Sequence, residues 1–345
     1  MNRRRKMHSI LPFCALITCL FVLSGCGSGE AGGLASPKEI RLGYFANITH
    51  AQALVGVARG DFQKAFGAVP LKTSVFNAGP AALEAMFAGE LDLVYVGPGP
   101  ALNAYFKSGG KVLRVIGGAA ANGVVIVARK GSGITKLEDL KGKRIATPQY
   151  GNTQDIAARA FLLHTLHDKD KKDGGTTTIE TIINADQLGL FKQGQIDAAW
   201  APEPWGTRLI KEAGGVLIEE EKNLWDGKKF NITLIVATSK FLRQHPDIVE
   251  AFLKTHIELT EFVRSSPDAA APIINDELKR LQGKALAPEI LKEALSRVEF
   301  DTDPLPASVD KMALWYSELG FTKKKPDLSK LFELSILNRL KEAKK

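Results

Sequence analysis

Beyond residue 26 this 345-residue chain contains no cysteine; its three, Cys14, Cys19 and Cys26, all lie at or before that point. The body therefore cannot build a disulfide, a thiolate metal site or a cysteine nucleophile, which removes several enzyme classes. Long apolar runs are scarce as well. The one at Ile10 to Leu23 falls short of the roughly 20 residues that a membrane-spanning helix needs. The short glycine-rich loops lack the spacing of dinucleotide or phosphate-loop motifs, so no cofactor is expected. His164 and His167 stand at helical i, i+3 spacing but have too few companions to hold a metal. No nucleophile, base and orienting group assemble in the pattern that catalysis requires. Lysine runs at 169–172, 323–325 and 344–345 carry no interleaved aromatics, so they read as solvated faces and nucleic acid is not an expected partner.

What is present begins with an export leader. Arg3, Arg4, Arg5 and Lys6 precede the short apolar run, and small residues follow it. Leu23-Ser24-Gly25-Cys26 resembles the lipobox of bacterial lipoproteins, which implies cleavage before Cys26 and lipidation of its thiol. Two or more acyl chains hold a protein stably at a bilayer where one does not. Residues 1–25 are then signal peptide and 26–37, rich in glycine, a flexible tether. Four of the 46 lysines and arginines leave with the leader, so the formal charge of the body falls from +8 to +4.

From Glu39 strand-like and helix-like stretches alternate. IRLGYF, LKTSVF and LDLVYV are separated by helical patterns, and RIATP, TIETIIN and IDAAWA repeat the order. Crossovers of this length require mainly parallel pairing, which makes the fold α/β. GELDLVYVGPGPAL (89–102) and GQIDAAWAPEPWGT (194–207) mark the same place in each half: a glycine, an aspartate, a short apolar strand, then Pro-x-Pro. Two extended segments, 123–130 and 230–238, suit crossings between lobes. The expected arrangement is lobe I from 38–121 and 232–345, lobe II from 122–231, and two hinge crossings. The helical tail from Ser239 is expected to pack on lobe I.

GYFANITHAQALVG, NAGPAALEAMFAGELD, YVGPGPALNAY, TPQYGNTQDIAARAFL and AWAPEPW, in that order, resemble the substrate-binding lipoproteins of the nitrate/sulfonate/taurine ABC importer family. Those proteins have the two-lobed type II periplasmic binding protein fold, each lobe a mainly parallel sheet flanked by helices. The resemblance implies an extracytoplasmic, membrane-anchored monomer that captures a small organic anion between its lobes. It then delivers the anion to the transmembrane subunits of an ABC permease. Two alternatives share the fold: a receptor for a thiamine-precursor pyrimidine, and a pyrimidine-synthase-like enzyme, the latter disfavoured because the body has no cysteine.

In open α/β sheets ligands lie beyond the carboxyl ends of the strands, where helix starts present free N–H groups. Candidate site residues therefore cluster at those ends. In lobe I they are Asn47, Thr49 and His50; Asn77 and Gly79; and Gly97 and Gly99, which allow close approach of backbone to ligand. Asn122 is either a hinge or a wall of the site. In lobe II they are Gly151, Asn152, Thr153 and Gln154, with Thr153 as helix cap, then Glu203 and Trp205. His50 is either a ligand contact or a buried structural histidine, and Trp205 either an aromatic wall or a core residue. Glu203 disfavours a nearby anion. It therefore points away, bonds a hydroxyl or N–H, or meets an amino group on the ligand. No arginine in these segments is an evident clamp.

Overall fold

The computed structural model describes residues 36–323 and 326–344; the leader, Cys26 and nearly all of the tether lie outside the described residues. Among the described residues no helix is long and apolar enough to cross a membrane.

The chain lays down β1 (Ile40–Phe45), β2 (Leu71–Phe76), β3 (Leu93–Val96) and β4 (Leu113–Asn122) in a first sheet. It crosses to a second sheet for β5 (Val124–Ala128), β6 (Arg144–Thr147), β7 (Thr178–Thr181), β8 (Ala198–Pro202) and β9 (Val216–Glu220), and returns for β10 (Asn231–Thr238) and β11 (Val298–Phe300). The orders are β11-β4-β10-β3-β1-β2 and β7-β6-β8-β5-β9. β1 pairs in parallel with β2 and β3, and β6 with β7 and β8; β10 and β5 are antiparallel to both of their neighbours. β4 and β9, antiparallel to antiparallel strands, thus point with the majority, so four of six strands in the first sheet and four of five in the second run one way; β11 pairs antiparallel with β4, and by pairing the sheets are mixed, three of five neighbours antiparallel in the first and two of four in the second. Every residue of β3, β5 and β8 is buried, as strands covered on both faces should be.

Helices α1 (Ala51–Ala58), α2 (Asp61–Phe66), α3 (Gly79–Phe87) and α4 (Pro98–Lys107) accompany the first sheet, and α5 (Thr153–His164), α6 (Asn184–Lys192) and α7 (Trp205–Ala213) the second. The helical pattern of the sequence runs through Leu54, Val55 and Ala58 to Phe66, but the structure breaks it in two because Gly60 adopts φ 70° between α1 and α2. The tail forms α8 (Ser239–Gln244), α9 (Pro246–Ser265), α10 (Pro267–Gln282), α11 (Pro288–Ser296), α12 (Pro306–Glu318) and α13 (Ser335–Glu342). α9 buries Val249, Phe252, Leu253, His256, Leu259 and Val263, a helical stripe facing α1, α2 and α10. α11, however, packs on α7, and α12 lies against both α4 and α5. The tail is thus shared between the lobes, not confined to the first.

The repeated Gly-x-Leu/Ile-Asp has a structural purpose. Asp92, just before β3, accepts from the Arg41 backbone N–H (2.9 Å), Nε (2.9 Å) and Nη2 (2.6 Å), while Arg41 Nη1 reaches the Gly89 carbonyl. Asp197, just before β8, accepts from the same three groups of Arg144 (3.0, 3.1 and 3.0 Å), and Arg144 Nη2 donates to the Gly194 carbonyl at 2.7 Å. One carboxylate and one carbonyl thus clasp a guanidinium in each half, pinning the entry to one strand against its neighbour. Burial alone would raise Asp197, but Arg144 and Arg129 outweigh it and hold the carboxyl at about 2.

Where the chain first crosses, Asn122 takes φ 62° and Gly123 φ 73°. Asn122 Nδ2 donates to Glu299 Oε1 (2.7 Å) and more weakly to the Lys228 carbonyl (3.4 Å), and Oδ1 accepts from Phe230 N–H (3.3 Å). The side chain therefore ties the two crossings to each other.

Near the second crossing, Glu221 is buried and accepts indole N–H bonds from Trp200 (2.5 Å) and Trp225 (2.9 Å). Burial dominates and pushes the carboxyl from 4.5 up to about 7, with the two indoles pulling the other way. Between those pH values the folded chain holds a proton that the unfolded chain has released, so this group's contribution to stability declines as pH rises from 4.5 to 7. We expect the melting temperature of the wild type, measured relative to Glu221→Gln, to fall across that window and level off above it. Parallel curves for the two proteins would show that Glu221 titrates normally.

Candidate functional site

A cavity of about 530 Å³ lies between the carboxyl ends of the two sheets, within the range of small-molecule sites. The first lobe supplies Phe45 to Asn47, Thr49 and His50 from the end of β1 onward, Val75 to Ala78 from the end of β2 onward, Gly97 after β3, Ile232 on β10, Leu281 and Gln282 at the end of α10, and Lys284 to Leu286 beyond it. The second lobe supplies Asn152 to Gln154 at the start of α5, Ile183 to Ala185 at the start of α6, Pro202, and three residues of α7. Those three, Trp205, Arg208 and Glu212, are three and four residues apart and so share one helix face. The Arg208 guanidinium lies 4.6 Å from the centre of the Trp205 ring and forks onto Glu212 at 3.0 and 3.2 Å. Arg208, and more weakly the charge of Lys284, hold the Glu212 carboxyl below its usual range.

Of the residues expected from sequence, Asn47, Thr49, His50, Asn77, Gly97, Asn152, Thr153, Gln154 and Trp205 line this cavity. Asn47 caps the turn after β1, its Oδ1 accepting from Ile48 N–H at 3.1 Å. The His50 ring stacks on Phe45 with centroids 4.4 Å apart, and burial lowers its pKa to about 3. The imidazole therefore meets the cavity uncharged. At α5 the N-cap is Asn152, with no side-chain cap bond, and not Thr153. The Thr153 hydroxyl instead accepts from the Gly99 N–H across the two lobes at 3.2 Å. The first-turn N–H groups of α5, which have no intrahelical partner, sit at the cavity edge.

Five expected residues do not line the cavity. A Cβ on Gly99 would lie 2.9 Å from the Thr153 backbone N and from Ile156 Cδ1, and one on Gly79 would lie 2.2 Å from Pro100 Cγ. These glycines permit close packing of chain on chain, not of chain on ligand. Gly151 (φ 72°) makes the turn before α5 and donates its N–H to Asp155 Oδ2 at 2.9 Å. Asn122 is the hinge tie described above. Glu203 is fully buried and turned away: it accepts from Thr207 N–H (3.0 Å), Thr207 Oγ1 (2.9 Å) and Arg297 Nη1 (3.0 Å), partners that oppose the upward shift burial imposes. Of the paired prolines, Pro202 lines the cavity while Pro98 is buried in the first turn of α4.

Sequence reasoning missed Arg208, Glu212, Gln282 and Lys284. The spacing of Trp205, Arg208 and Glu212 on one helix face could have revealed the first two; nothing local marks a tail residue such as Lys284.

Two lobes of one strand order, joined by two crossings around a polar cleft, define the periplasmic binding protein architecture. The solved periplasmic aliphatic sulphonate binding protein of Escherichia coli superposes with a TM-score of 0.68 at 20% identity, covering 86% of this chain and 92% of that one. A Bacillus subtilis (strain 168) protein provisionally named for binding aliphatic sulfonates is 26% identical over 335 residues, 95% of this chain and 96% of its own. The taurine-binding periplasmic protein of Escherichia coli (strain K12) is 26% identical over 236 residues, 67% of this chain and 69% of its own. The chain belongs to the NMT1-like family, whose pattern matches residues 33–275.

Gly99→Ala should wedge the lobes apart, because the added methyl meets the Thr153 backbone, which cannot rotate aside. We expect faster hydrogen–deuterium exchange over residues 151–155 and little change elsewhere in the two sheets. Exchange identical to the wild type would show that this contact does not hold the cleft shut.

Proposed function

We propose that this protein is the extracytoplasmic solute-binding component of an ABC importer, a binding protein and not an enzyme, and that its ligand is a small organic anion with an apolar body. The observation that carries this is the composition of the cleft between the carboxyl ends of the two sheets. Arg208, Lys284 and the start of α5 outweigh one carboxylate, Glu212, while Phe45, Phe76, Trp205, Ile183 and Leu286 supply apolar wall. A cavity of about 530 Å³ is far larger than a bare inorganic anion fills, which favours an alkyl or aryl sulfonate, taurine included, over nitrate. Contacts to both lobes make the closed form the better binder, and that difference in affinity drives closure. The names of its relatives, one a taurine-binding protein and one provisionally named for binding aliphatic sulfonates, agree.

The same proposal assigns residues 38–121 and 232–345 to lobe I and 122–231 to lobe II. Residues 1–25 are a leader, and Cys26 is lipidated to hold a monomer beside its permease through the 26–37 tether. Cys26→Ala should release the protein from the membrane fraction in an ultracentrifugation assay; full retention would remove the lipid anchor.

Isothermal titration with nitrate, taurine, short alkanesulfonates, an aromatic sulfonate and a thiamine-precursor pyrimidine tests the ligand class. We expect sulfonates to bind. Removing a charged hydrogen-bond donor costs about 1.5–3 kcal/mol, so Arg208→Ala should weaken sulfonate binding by roughly 10- to 150-fold. Trp205→Ala should weaken alkyl and aryl sulfonates more than taurine. Tight binding of the pyrimidine alone, or of nothing in the panel, would overturn the assignment.

A further inference from the structure

Glu203, drawn away from the cleft, points to a residue that acts on the cleft from outside it. Arg297 ends α11 and immediately precedes β11, so its backbone is tied to the first sheet through the pairing of Val298 with Asn122. Its guanidinium reaches into the second lobe. Nη1 donates to Glu203 Oε1 (3.0 Å) and Thr207 Oγ1 (2.6 Å), Nη2 to Glu293 Oε1 (2.7 Å), and Nε lies 3.7 Å from Glu220 Oε1 at the end of β9. Lys211 Nζ on α7 adds a second tie to Glu293 at 2.9 Å. None of these side chains lines the cavity, yet Glu203 and Thr207 bracket Trp205, and Arg208 follows directly.

We propose, on the basis of the binding function above, that Arg297 is a positioning residue for the cleft. It fixes the first turn of α7, and with it Trp205 and Arg208, to the first lobe, and it favours the closed arrangement before any ligand arrives. Glu203 has no exposed surface, and Arg297 is the cation bonded to it. A movement of the lobes that parts the two leaves a buried carboxylate without its cation, an expensive state. The arrangement that keeps them together is favoured accordingly, and a ligand that needs the closed form then loses less affinity to the cost of closing.

The test combines small-angle X-ray scattering of the purified, ligand-free protein with calorimetric titration of hexanesulfonate. Arg297→Met and Glu203→Gln should each enlarge the radius of gyration. Arg297→Lys, which keeps the charge without the two-pronged reach, should give an intermediate value. Hexanesulfonate affinity should fall about tenfold in Arg297→Met, within the usual range of coupling between sites, and recover in part in Arg297→Lys. Scattering needs no ligand: if hexanesulfonate fails to bind the wild type, the ligand class falls while the role of Arg297 is still decided by the dimensions. A radius of gyration equal to the wild type in Arg297→Met and Arg297→Lys overturns the proposal. If Arg297→Met does not fold, Arg297→Lys decides by the same criterion.

Discussion

The approach of two backbones at Gly99 and Thr153 is the constraint on which the rest of the cleft depends. The first turn of α4 comes so near the start of α5 that one added carbon at Gly99 would collide with the Thr153 backbone. That proximity brings the positive end of α5 against the opposite lobe and bounds the cavity on one side. It also buries a backbone N–H that needs a partner, which the Thr153 hydroxyl supplies. Glycines at 97 and 99 are therefore required by the meeting of the lobes.

The charge of the cavity follows from what burial does to each group. His50 is stripped of its proton by desolvation and offers only neutral hydrogen-bonding capacity and an aromatic face. Arg208 shares its charge with Glu212, and the fork holds the guanidinium over the Trp205 ring. Glu203, which would have repelled an anion, is withdrawn into a cluster of its own. What remains facing the ligand is mildly positive and largely preorganised, with apolar walls on both sides.

Much of this was legible in the sequence because it is local. Buried strands read as unbroken apolar runs, helices begin after Asn, Gly and Pro at their ends, and nine of the fourteen anticipated site residues line the same cleft. What was not legible depends on partners far away in the chain. The orientation of Glu203 is decided by Arg297, 94 residues later, and Lys284 enters from the connection between two tail helices, which no spacing rule links to the strand ends. The start of α5 is visible locally and suggests Thr153 as its cap, whereas Gly99, the donor that claims its hydroxyl, lies 54 residues upstream. Gly60 broke a helix whose apolar periodicity ran straight through it.

The clasps of Arg41 on Asp92 and of Arg144 on Asp197 lie at the heel of each sheet, at the opposite ends of β3 and β8 from the cleft. Robustness is thereby concentrated at one end of the strands and discrimination at the other. The recognition loops can be rewritten, in nature or in the laboratory, to suit a different solute while the heel keeps the strands in register, so diversity in what is captured need not be accompanied by loss of the fold.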